Sequence, residues 1–201
     1  MGSEIMSKSV EFFFDFGSPT VYLAATQLPK IAERYGATVL WRPFLLGGVF
    51  KATGNVSPAT VPAKSRYMGD DLERFAQRYE VPFLFNPFFP VNTLALMRGA
   101  VAYQQQGRLD QYSEAIFSAM WVTGKDMNEP TIIAEVLGAI GIGAEDFLVA
   151  IAAQDVKETL KCNTEEAVKR GAFGAPTFFV GDEMFFGQDR LDFVEATLAV
   201  G

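Results

Sequence analysis

The stretch Phe14-Asp15-Phe16-Gly17-Ser18-Pro19-Thr20-Val21-Tyr22-Leu23-Ala24 constrains the fold more than any other part of this chain. A short aromatic run, Val10–Phe16, leads directly into a Ser-Pro pair. Such a run, bounded by Gly17, predicts a buried central strand. Ser18 predicts a helix N-cap, and Pro19 suits the first helical position, where its missing N–H costs nothing. Val21, Leu23, Leu28, Ile31 and Ala32 then mark one apolar face, and Gly36 ends the helix. Thr38–Pro43 predicts a second strand.

From about residue 57 to 168 the pattern is helical throughout, broken by Pro62, Pro82, Pro87, Pro90, Gly107, Gly124, Pro130, Gly141 and Gly143. Helices are expected at Asn92–Gln106, Leu109–Met120, Thr131–Ala139, Ala144–Ala152 and Asp155–Arg170. Strand signals return at Thr177–Val180 and Met184–Phe186, joined by a Gly181-Asp182 turn, and a closing helix is expected from Asp189. The order is βαβ, a helical block, then ββα. That order predicts an α/β, thioredoxin-like fold with a large all-helical insertion. Residues 8–56 and 169–201 form the thioredoxin-like part, and 57–168 the insertion.

Two scarcities limit the chemistry. The chain has no histidine, which removes Ser-His triads and imidazole acid–base catalysis. It has one cysteine, Cys162, so neither an internal disulfide nor a cysteine-rich zinc site is expected; the thiol reads as an ordinary buried or half-buried one, and no metal is expected. A net charge of −7 argues against nonspecific nucleic-acid or anionic-membrane binding. No run of about 18 apolar residues predicts a membrane span. The N-terminus lacks a basic-then-apolar leader, so a cytoplasmic location is expected. Met6 could itself initiate, which leaves open whether residues 1–5 are native.

In a thioredoxin-like fold the first strand–helix junction usually carries a reactive Cys-x-x-Cys, and here it reads Ser18-Pro19-Thr20-Val21. A protein built this way must borrow a thiol, and glutathione is the expected loan. The helix N-terminus favours a thiolate, and the Ser18 hydroxyl can donate to it. With no histidine and no Ser-x-x-Lys spacing, Ser18 itself is not expected to attack. Pro176, in Gly171-Ala-Phe-Gly-Ala-Pro-Thr-Phe-Phe-Val180, is expected to be cis and to face that helix. The Ala175 N–H and C=O are then expected to be free to pair with an extended peptide such as glutathione. In Gly187-Gln188-Asp189-Arg190, Asp189 suits both an N-cap and the ammonium of a γ-glutamyl group, with Gln188 at its carboxylate. The glycine-rich Pro43–Asn55 segment reads as a loop beside the thiol site, where Lys51 and Lys64 could hold a carboxylate and Asn55 an amide.

F-D-F-G-S-P-x-x-Y-L-A, P-F-L-L-G-G-V-F-K-A-T-G-N, V-P-A-K-S-R-Y, F-N-P-F-F-P-V-N-T, G-x-F-G-A-P-T-F and G-Q-D-R-L occur in that order. Together they resemble the 2-hydroxychromene-2-carboxylate isomerases, relatives of the kappa-class glutathione transferases in the DsbA-like group. The resemblance runs from about Val10 to the C-terminus. It implies a glutathione-dependent isomerase of naphthalene and aromatic catabolism. Such an enzyme interconverts 2-hydroxychromene-2-carboxylate and trans-o-hydroxybenzylidenepyruvate by reversible thiolate addition to the enone. It also implies a homodimer. By the same resemblance Ser18 would contact the sulfur, and Ala175 and Pro176 the tripeptide backbone. Gln188 and Asp189 would hold the γ-glutamyl end, with Asn55 and Lys64 nearby. Phe88, Phe89, Asn92 and Thr93 would line the side of the small aromatic carboxylate substrate. Lys51, Lys64, Arg42 or Arg98 would meet its carboxylate. The alternatives are a kappa-type transferase or peroxidase that forms lasting adducts, a disulfide oxidoreductase or chaperone-like relative, and a peptide-binding module.

Overall fold

The computed structural model describes residues 8–200. Residues 1–5, the segment upstream of Met6, lie outside the described residues. Four strands form one mixed sheet in the order β2-β1-β3-β4: β1 (Ser9–Phe14), β2 (Thr38–Pro43), β3 (Thr177–Val180) and β4 (Glu183–Phe186). β1 pairs parallel with β2 and antiparallel with β3, in the register Phe12↔Phe178. The parallel pair is bridged by α1 (Pro19–Arg34), the crossover that parallel pairing requires.

Side-chain alternation along β1 feeds two cores. Val10, Phe12 and Phe14 point to one face, where α1 and the closing helix α9 (Leu191–Val200) pack. Phe13 points to the other, against Phe44, Val49, Ala167 and Phe179. That second face is covered by α2 (Leu46–Thr53) and α8 (Gln154–Lys169). Both faces of β1 are thus buried, as its unbroken aromatic run requires. Glu11, on the Phe13 side, receives Arg42 and Arg170 at 2.8 Å each, and Glu166 of α8 completes the group by pairing with both arginines.

Between α2 and α8 run α3 (Pro62–Tyr79), α4 (Leu94–Gln105), α5 (Leu109–Trp121), α6 (Pro130–Gly138) and α7 (Ala144–Ala152). They are not packed apart from the sheet, because a single buried cluster joins Phe12, Phe14 and Phe16 to Met97, Tyr112, Phe117 and Trp121. The Trp121 indole N–H donates to the Phe16 carbonyl at 2.8 Å, and the Phe16 N–H points at Met97 Sδ, 3.4 Å away. Among the described residues no helix is long and apolar enough to cross a membrane.

The structure corrects several expected elements. β1 stops at Phe14 rather than Phe16, because the Asp15 carboxylate accepts the Gly17 N–H at 2.9 Å and turns the chain. The glycine-rich segment expected as a loop forms α2. The Asp15 carboxylate accepts the Leu46 N–H at 2.8 Å, and Thr164 Oγ1 accepts the Leu45 N–H at 2.9 Å, so tertiary partners satisfy its N-terminus. The block from 57 to 168 is not helical throughout. Residues 80–93 are irregular, held by the Leu84 N–H on the Trp121 carbonyl at 2.7 Å and by Asn86 on the Met120 and Lys125 carbonyls. Cys162, expected to be buried or half-buried, is exposed on α8.

Candidate functional site at the tip of the first helix

The N-terminus of α1 is where the chain's unusual features meet. Ser18 occupies the N-cap position with extended backbone, yet its side chain makes no capping bond. Its hydroxyl lies 2.8 Å from Thr20 Oγ1 instead, and 3.4 Å from the Ala175 carbonyl oxygen. Thr20 Oγ1 also donates to Ala175 O, at 3.2 Å. Ala175–Pro176 is a cis peptide, as is Phe89–Pro90, which the sequence did not single out. The sequence expected Ala175 to present a free N–H and a free C=O. The N–H has no protein acceptor among the described residues, but the C=O is already engaged by the two hydroxyls.

Beneath Ser18 the Asp15 carboxylate is 1% exposed. Burial raises its pKa above the ordinary value of 3.8, against the opposing N–H donors of Gly17 and Leu46. It joins the β1–α1 turn to the start of α2. Thr93, at the start of α4, is buried against the same turn; its Cγ2 stands 3.1 Å from where a side chain at Gly17 would begin. The helical segment therefore abuts the tip of α1 directly.

On the other side, the Pro176 carbonyl accepts the Gly187 N–H at 3.0 Å, which brings the turn Gln188–Arg190 against the start of β3. Gln188 is buried, and its Oε1 accepts from the Tyr79 hydroxyl at 2.8 Å. Asp189 was expected to cap the last helix. It lies instead inside a 3-10 turn, with Arg190 at 2.9 Å, and α9 begins two residues later. Gln188 and Asp189 line a cleft of about 280 Å³ with Gln27, Arg34, Tyr79 and Arg78. Gln27 is nine residues along α1, so this wall of the cleft is roughly 13 Å from the tip by helix rise. A second cleft, about 420 Å³, lies between α1, α5 and Trp41 of β2; Asp110 and Glu114 are on its rim and no lysine or arginine lines it.

The remaining candidates are dispersed. Asn55 is exposed and donates through Nδ2 to the Phe173 carbonyl at 2.8 Å, two residues before Ala175. Lys51 and Lys64 are exposed on α2 and α3. Phe88 is 48% exposed, whereas Phe89 packs on Phe85 and Trp121. Asn92 accepts the Leu94 N–H at 3.1 Å, and its own N–H goes to Asn128. Arg42 is committed to Glu11 and Glu166 and lies over the Phe13 ring, so it does not serve as a free cation. Arg98 is half-buried on α4.

Sequence reasoning passed over Asp15, Thr20 and Tyr79. Thr20 had a local signal, a second hydroxyl two residues after Ser18 in the first helical turn. Tyr79 had none, because 109 residues separate it from Gln188.

Residues 9–199 match the profile of the DSBA-like thioredoxin domain. The chain is 36% identical over 198 residues to 2-hydroxychromene-2-carboxylate isomerase of Sphingobium xenophagum, covering 96% of this chain and 99% of that protein. It is 30% identical over 201 residues to human glutathione S-transferase kappa 1, covering 93% and 89% of the two chains. A solved 2-hydroxychromene-2-carboxylate isomerase superposes with a TM-score of 0.83 at 31% identity, over 95% of this chain and 94% of that one. The chain belongs to the DSBA-like thioredoxin-domain family, within the group of 2-hydroxychromene-2-carboxylate isomerases related to the kappa-class glutathione transferases.

Proposed function

We propose that this protein is a glutathione-dependent cis–trans isomerase that interconverts 2-hydroxychromene-2-carboxylate and trans-o-hydroxybenzylidenepyruvate. The observation that carries the reading is the cysteine-free tip of α1, where the Ser18 hydroxyl meets the Ala175 backbone beside Pro176. Nearly full-length similarity to the isomerases supports the reaction, and similarity to the kappa transferases supports the thiol.

The tip suits a small peptide bearing an anionic sulfur. The backbone N–H groups of Thr20 and Ala175 have no protein acceptor among the described residues, and they lie at the positive end of α1. Glutathione, when bound, supplies a thiolate able to add reversibly to the conjugated carbon of the ring-opened substrate. Ser18 and the first-turn N–H groups hold negative charge and keep the sulfur ionised near neutral pH. Ala175 binds the tripeptide backbone. Gln188, fixed by Tyr79, and Asp189 hold the γ-glutamyl end. Asn55 steadies the loop that presents Ala175, and Lys64 adds a charge to the tripeptide. Phe88, Phe89, Asn92 and Thr93 form the substrate side. Of the four cations considered for its carboxylate, Lys51, Lys64 and Arg98 remain.

The test is isomerisation by extensively dialysed protein, with and without added glutathione, with the products identified. Turnover that requires glutathione and returns it unchanged supports the proposal. Full turnover with no thiol present overturns it. The kappa relatives favour a second reading, a transferase, and accumulation of a stable glutathione adduct is the result that would select it.

A further inference from the structure

Two hydroxyls and one carbonyl meet at the tip of α1, and their protons can be counted. Ser18 and Thr20 each carry one hydroxyl proton. Their oxygens are 2.8 Å apart, an ordinary O–H···O distance, and either can be the donor. Ala175 O is reached by Thr20 at 3.2 Å and by Ser18 at 3.4 Å, both long for such a bond. One proton therefore lies between the hydroxyls and the other points to Ala175. A group that competes for Ala175 O displaces the weaker of these bonds, and the stronger one between the hydroxyls persists with its donor free to reverse.

The geometry points to Thr20 as a positioning residue with two settings. Without ligand its hydroxyl stands in for a peptide N–H at Ala175 O; when a ligand N–H takes that place, Thr20 donates to Ser18 and frees the Ser18 proton for a bound sulfur. This rests on the glutathione reading of the site. The count balances: Ala175 O accepts the ligand N–H, Ser18 accepts from Thr20 and donates to the sulfur, and no proton enters or leaves the protein. A hydroxyl that accepts a hydrogen bond is also a stronger donor, so the Thr20–Ser18 pair stabilises a thiolate better than Ser18 alone. Backbone pairing and thiol ionisation become linked through one side chain.

Thr20→Val keeps the shape and removes the hydroxyl, and Thr20→Ser restores it. The readout is the ultraviolet thiolate absorbance of glutathione bound to the purified protein, followed against pH for both variants and for Ser18→Ala. Thr20→Val is expected to raise the bound thiol pKa by about half to one unit, a three- to tenfold loss of thiolate below both values. Thr20→Ser is expected to match the parent. The isomerisation kcat of Thr20→Val should fall in proportion at low pH and recover at high pH. An unmoved thiol pKa in Thr20→Val, alongside a raised one in Ser18→Ala, overturns the role of Thr20 alone; so does a change confined to melting temperature. If Ser18→Ala leaves the thiol pKa unmoved, or glutathione does not bind, the reading of the site fails and this inference fails with it.

Discussion

At the residue scale, the hydroxyl of Ser18 is notable for what it does not do. A serine at an N-cap ordinarily satisfies an N–H of the first helical turn, and here that hydroxyl is turned toward Thr20 and Ala175. Removing it therefore sacrifices no capping bond. Ser18→Ala is expected to keep its melting temperature within a few degrees while losing about ten- to a hundredfold in isomerisation rate, the worth of one hydrogen bond to a charged group. Full turnover by that variant would remove Ser18 from the mechanism. Asp189→Ala should act on binding. Its side chain lines the cleft beside Gln188, and its loss is expected to raise the glutathione concentration needed for half-maximal rate severalfold with little change in kcat. An unchanged requirement would contradict its place at the γ-glutamyl end. That the Ser18 turn and the Ala175-Pro176 turn face each other was legible in the sequence because Pro and Gly punctuate both, whereas the N-cap expected at Asp189 was not found. The engagement of Ala175 O was not legible, since 155 residues separate it from Thr20.

At the element scale, the helices with strong periodicity were legible to within a residue or two, and Ala144–Ala152 and Thr38–Pro43 fall where the pattern puts them. α2 was not legible, because Gly47-Gly48 lowers helix propensity and the compensating bonds come from Asp15 and Thr164. α4 shows the reverse case, a glycine demanded by packing. A methyl group at Gly99 would begin 2.1 Å from the hydroxyl of buried Tyr112, whose own bond to the Leu96 carbonyl is 2.8 Å. Gly99→Ala raises helix propensity yet is expected to destabilise the protein by about 3 kcal/mol, since the added carbon meets the buried rings of Tyr112 and Phe147 and one of them must shift. Chemical denaturation reads the difference. A neutral or stabilising result would mean that α4 and α5 can separate at little cost.

At the scale of the whole molecule, Asp15 ties the β1–α1 turn to α2 in the core beneath the site, and its titration should be visible in stability. Because burial raises its folded pKa above 3.8, the folded state holds this proton more tightly than the unfolded chain does. Its contribution is complete below the ordinary value and is lost as pH rises through the folded one. Asp15→Asn removes the titration, so the stability advantage of the parent over the variant should shrink with rising pH across that window. Melting series from acid to neutral pH measure this, and an advantage that grows instead would mean the N–H donors outweigh burial. Local patterning determined the order of strands and helices, the absence of a cysteine at the α1 tip and the positions that punctuate the site. Apolar period and turn chemistry act over a few residues, and a single chain displays them openly. Tertiary structure alone decided that α2 is a helix, that Arg42 is spent on Glu11 and Glu166, and that Tyr79 holds Gln188. Those outcomes depend on which distant groups are left to satisfy a buried donor, acceptor or charge, and only the folded chain brings them within reach.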